Sequence, residues 1–143
     1  MIHLRPSAPL LALCVTLAAS PLGAQVTPRW EEIGRTSTGN TVYLDPRSIS
    51  RDSTGIITAT VRVVYTTPVD TPQGPITGSR AIAMFDCAGR KVAVKENIIW
   101  HDERRGTVYR RSAPTRPGFG PALTSTFAHV ALEHLCAPLQ RPG

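Results

Sequence analysis

The run IITATVRVVYT, residues 56 to 66, sets Ile57, Ala59, Val61, Val63 and Tyr65 against Thr58, Thr60, Arg62, Val64 and Thr66 with a period of two. Such alternation fits an extended strand that buries one side, and a helix would scatter these residues around its axis. SRAIAMFDC (79 to 87) repeats it, with Ala81, Ala83, Phe85 and Cys87 facing away from Arg80, Ile82, Met84 and Asp86. The turn AGRK leads into KVAVKENIIW, where the same period groups Val92, Val94, Ile98 and Trp100. RWEEIGR and TVYLD flank a turn at Gly39-Asn40, and the turn HDERRG precedes a last short strand in TVYRR. Strands in hairpin succession predict one antiparallel sheet of about six strands over residues 29–111. The proline- and glycine-bearing segment TPVDTPQGPITG (67 to 78) reads as a surface loop.

The pattern changes after residue 111. SAPTRPGFGPA (112–122) is a proline and glycine linker, and LTSTFAHVALEHLC (123–136) has helical spacing. On a helix Leu123, Phe127, Val130, Ala131 and Leu135 share one arc, while Ser125, Thr126, His129 and Glu133 lie opposite. Pro138 stops the helix after Cys136. The predicted class is α+β: a single sheet with a C-terminal helix packed on one face.

The chain opens MIHLRPSAPLLALCVTLAASPLGAQ, with one arginine, an apolar core and small residues up to Ala24. This is the pattern of a secretory signal peptide over residues 1–24, leaving one domain over 25–143. The apolar core falls short of the ~20 residues a membrane-spanning helix needs, so no transmembrane segment is expected. Cys14 follows Leu13, where lipid attachment calls for a small residue, and the apolar core continues past it. A lipid anchor is therefore not expected, and the protein is placed as exported: periplasmic, secreted or associated with the outer surface.

Export leaves Cys87 and Cys136, an even pair in an oxidising compartment, and a disulfide is the economical reading. Closing a loop of roughly 50 residues destabilises the unfolded chain by about 4 kcal/mol in the chain-entropy model. The bond would hold the helix against the face shared by Ala81, Ala83 and Phe85, where small alanines permit close approach. A redox pair lacks the C-x-x-C spacing it would need.

Trp30 followed by Ile33-Gly34, the segment VYLDPRSISR (42 to 51), the strand ending Val64-Tyr65, the serine-led run ending Asp86-Cys87, and a terminal helix ending Leu135-Cys136 together resemble the bacterial surface-adhesin protein E family. The resemblance covers roughly residues 29 to 137. It implies an antiparallel sheet of about six strands, with a C-terminal helix held on its concave side by a cysteine pair matching Cys87 and Cys136. It also implies a non-enzymatic binding module, since the family includes a dimeric lipoprotein adhesin for host extracellular-matrix and serum proteins. The chain departs from that member in lacking a convincing lipid-anchor cysteine.

Net charge is +6, carried mostly by arginine, with Lys91 and Lys95 the only lysines. That balance favours anionic partners, but an exported chain with no reading motif does not point to nucleic acid. Arg104, Arg105, Arg110 and Arg111 flank the turn at Gly106 and form the candidate anionic-ligand site, although neighbours in a strand point to opposite faces. Ile82, Met84, Ala93 and Ile99 would lie opposite the helix-bearing side as an apolar strip needing cover, which makes them the candidate self-association face of a homodimer.

No catalytic, metal or cofactor site is predicted. His101-Asp102-Glu103 sits in a turn with no second converging segment. His129 and His134 are five residues apart and do not share a helix face. Gly118-Phe119-Gly120 follows no strand-to-helix phosphate loop. The sequence thus favours a secreted or envelope-associated binding module for protein partners, such as host matrix proteins, or for anionic ligands. A periplasmic assembly protein that contacts envelope partners is the alternative, and a small hydrolase built on His101 and Asp102 stands behind both.

Overall fold

The computed structural model describes residues 29–139. The expected signal peptide, its cleavage after Ala24, and Cys14 lie outside the described residues.

Among the described residues, eight strands make one antiparallel sheet: β1 (Glu31–Arg35), β2 (Thr41–Leu44), β3 (Ser50–Arg51), β4 (Ile57–Val69), β5 (Ile76–Asp86), β6 (Lys91–Asp102), β7 (Thr107–Ser112) and β8 (Gly120–Pro121). Six run in the order β1-β2-β4-β5-β6-β7; β3 continues the β2 edge of β4, and β8 pairs with β6. The count exceeds the expected six or so because β3 and β8 have two residues each. No alternation can register in a segment that short; it becomes a strand only by pairing with an end of a longer neighbour. The predicted loop over 67–78 is half strand, since β4 runs to Val69 and β5 begins at Ile76, leaving a turn over 70–75.

The α-helix of the described residues, α1 (Phe127–Cys136), packs on β1, β2 and β4. It starts later than the spacing suggests, because the Leu123 carbonyl accepts both the Thr126 amide at 3.0 Å and the Thr126 hydroxyl at 2.8 Å in a preceding turn. Leu123 is consequently 62% exposed, while Leu132, absent from the predicted apolar arc, is 1% exposed. Val42, Leu44, Val61, Ala83 and Phe85 of the sheet form a continuous core with Ala131, Leu132, Leu135 and Cys136 of α1. Ala59 and Ala83, both fully buried, keep the sheet surface low where α1 crosses.

The Cys87–Cys136 disulfide joins the end of the β5 strand to the last turn of α1, with a Cα–Cα distance of 5.5 Å. An ion pair between Arg90 and Glu133 lies beside it. At the other end, Gly34 interrupts β1 at an irregularity in its pairing with β2 and has φ +152°.

The decisive departure from simple alternation is in β6. Ile82 pairs with Glu96, but Ala83 pairs with Val94, so Lys95 is an extra residue that bulges out of the ladder. Paired residues share a face, and one inserted residue reverses the alternation beyond it. Val92 and Val94 therefore face α1, as do Asn97 and Ile99, whereas Glu96, Ile98 and Trp100 face the outer side.

Candidate functional site

The outer face carries one row of side chains in register from edge to edge: Glu32 opposite Tyr43, Tyr43 opposite Arg62, Arg62 opposite Arg80, Arg80 opposite Ile98, and Ile98 opposite Arg111. Two arginines directly opposed on neighbouring strands repel, and the sheet tolerates them only with compensation. Arg62 finds it in Glu103, whose carboxylate takes its Nε at 2.6 Å, and in the rings of Tyr43 and Trp30, each centred 5.8 Å from its Cζ. Arg80 lies 5.6 Å from the centre of the Trp100 ring and has no carboxylate partner among the described residues. Arginine above an indole gains cation–π attraction while its guanidinium edge stays available to an outside group.

These stacked side chains also explain the burial of the face. Ile98 is only 2% exposed and Trp100 7%, although α1 is on the other side of the sheet. Long arginine stems cover apolar surface while their charged ends reach water. The Trp100 Nε1 is buried without a hydrogen-bond partner among the described residues, and no contact of the fold explains it. Beside the row, Arg29, Thr60, Arg80, Ile82, Glu96 and Ile98 line a cleft of about 340 Å³.

The segment VYLDPRSISR braces this face. Buried Asp45 accepts Arg29 Nε at 2.8 Å and the Arg47 amide at 3.1 Å. Ser48 donates its hydroxyl to the Asp45 carbonyl at 2.7 Å and accepts the Thr60 amide at 2.8 Å, which ties the turn to β4. Burial by itself would raise the Asp45 carboxyl. The Arg29 hydrogen bond, the Arg47 amide and the charges of both arginines outweigh it and hold the group below the ordinary carboxylate value. Arg29 in turn lies 5.1 Å from the Trp30 ring centre.

The hairpin arginines do not form one patch. Arg110 shares the helix-side face with Ile99 and stacks on Tyr109 at 5.5 Å, while Arg111 shares the outer face with Ile98 and lies 3.5 Å from Glu96. Arg105 lies 3.6 Å from Asp102, and Arg104 is in the turn, where the Asp102 carboxylate accepts its amide at 3.0 Å. The apolar set separates too. Ile82, Met84 and Ala93 share the outer face, with Ala93 only 1% exposed, but the Lys95 bulge turns Ile99 to the helix side.

His101, Asp102 and Glu103 diverge. The His101 Nδ1 is 2.6 Å from the Pro75 carbonyl oxygen, Asp102 caps the hairpin turn, and Glu103 holds Arg62. Among the described residues, no cluster of histidine, cysteine and acidic side chains has the makings of a metal site, and no helix is long and apolar enough to cross a membrane. Alternation in the sequence separates Arg62 and Arg80 from the core-facing residues but groups Trp100 with Val92 and Val94; the alignment of arginines and rings in one row became visible only with the register.

The family profile of surface-adhesin protein E matches residues 30–137. Among solved structures, crystal form II of Haemophilus influenzae protein E is similar at 16% identity with a TM-score of 0.52, covering 81% of this chain and 93% of that one. Protein E from non-typeable Haemophilus influenzae is 15% identical with a TM-score of 0.48, covering 80% of this chain and 79% of that one. The first of these likenesses shows a shared fold. Among curated proteins, none matches the chain.

Proposed function

Since the chain belongs to the surface-adhesin protein E family, we propose that it is an exported, adhesin-like binding module whose outer sheet face meets a protein partner. The observation that carries this reading is the directly opposed Arg62 and Arg80, each stacked on aromatic rings. Like charges facing each other cost stability, and a fold that retains such a pair on an open face has a use for it outside its own core. Arginine and aromatic residues are also the side chains most enriched where binding energy concentrates. Ile82 and Met84 supply apolar contact beside the row.

The partner of choice is an extracellular-matrix protein with acidic side chains, in keeping with the adhesin description of the family. Treating intact cells with protease tests the placement, and adherence of the same cells to immobilised matrix protein tests the role. Digestion without permeabilising the cells, with adherence lost on deleting the gene, is the expected result. Protection until the outer membrane is opened, with adherence unchanged by deletion, would replace this reading by an envelope-assembly role.

A further inference from the structure

The Lys95 bulge has a second effect, on the side of the sheet that α1 covers only in part. Beyond the first turn of α1 lies a cavity of about 380 Å³. Val63, Tyr65, Ile76, Ile99 and Phe127 give it an apolar side, and uncharged polar side chains, Asn97 and Ser79 among them, make up about half of the lining. Asn97 and Ile99 belong to this lining because the bulge inverts the alternation of β6; without it, both would face outward. Three properties point to a ligand. The volume falls in the ~300–1,000 Å³ range of small-molecule sites. No acidic or basic side chain lines the cavity, unlike the cleft beside Arg29 and Arg80, so nothing in it would pair with a charged group. Asn97 Oδ1 is buried with no hydrogen-bond partner among the described residues, although buried acceptors are rarely left unpaired.

We infer that this cavity binds a small uncharged amphiphile, with an apolar ring or chain packed between Ile99 and Phe127 and one hydroxyl donating to Asn97. The site is separate from the proposed partner-binding row, which lies on the other face of the sheet, so either can fail without the other.

The test is a titration of the isotopically labelled, disulfide-intact exported protein with 4-propylphenol and with propylbenzene, followed by amide chemical shifts. Saturable shifts at Asn97, Ile99 and Phe127 are expected with 4-propylphenol, and propylbenzene should bind about tenfold more weakly because it brings no donor. Asn97→Leu should erase that preference, and Ile99→Trp should fill the space and abolish binding. If Ile99→Trp does not fold, the loss or survival of the preference in Asn97→Leu still decides. No saturable shift with either compound, equal affinity for the two, or a preference that survives Asn97→Leu would overturn the inference, leaving the cavity to water.

Discussion

Val130 Cγ1 lies 2.9 Å from the position a Cβ would occupy on Gly34, so α1 rests on β1 at a point where any side chain would push it away. The backbone of Gly34 adds a second demand, since its φ of +152° is rarely adopted by other residues. Gly34→Val should cost about 1–3 kcal/mol, measured by urea unfolding. Adding Val130→Ala should recover part of the loss, the steric part, and leave the backbone part.

The disulfide should act on stability far more than on secondary structure. Replacing Cys87 and Cys136 with alanine is expected to lower unfolding free energy by about 2–4 kcal/mol while far-ultraviolet circular dichroism at low temperature stays close to wild type. The core around Leu132 and Leu135 is continuous without the sulfurs, which is why the helix should stay formed.

Asp45 makes acid sensitivity predictable. Its carboxyl is held below the ordinary value of 3.8, so the stability it contributes is complete above that value and is lost as pH falls through the lower folded-state value. Asp45→Asn should be less stable than wild type at pH 7 by about 1–3 kcal/mol. The gap should narrow as the pH is taken well below 3.8, read from unfolding curves at both pH values.

Much of the architecture was legible because alternation, turn residues and an even cysteine pair are local signals. IITATVRVVYT and SRAIAMFDC kept their two-residue period without interruption, and the side chains fell on the expected faces. KVAVKENIIW did not, because Lys95 carries nothing, such as a glycine, to mark it as an inserted residue. Its bulging is decided by pairing with β5, and that one event moved Ile98 and Trp100 to the outer face and Ile99 to the inner one. The arginine row was hidden for the same reason: residues 43, 62, 80 and 111 become neighbours only through register across five strands.

That account of β6 predicts a sharp asymmetry at one position. Lys95→Ala should change stability by no more than about 0.5 kcal/mol, because the side chain is exposed. Deleting Lys95 should cost several times as much, because it would drive Trp100 and Ile98 toward the helix side and Asn97 and Ile99 outward. Thermal melting of the two variants compares them directly.

The binding face is tested most directly by surface plasmon resonance of the exported protein over an immobilised matrix protein to which it adheres. Arg62→Gln/Arg80→Gln is to be compared with Arg104→Gln/Arg105→Gln. The outer-face pair is predicted to weaken binding by about tenfold or more, and the hairpin pair by about twofold or less. Unchanged binding by the outer-face variant, with loss in the hairpin variant, would contradict the account.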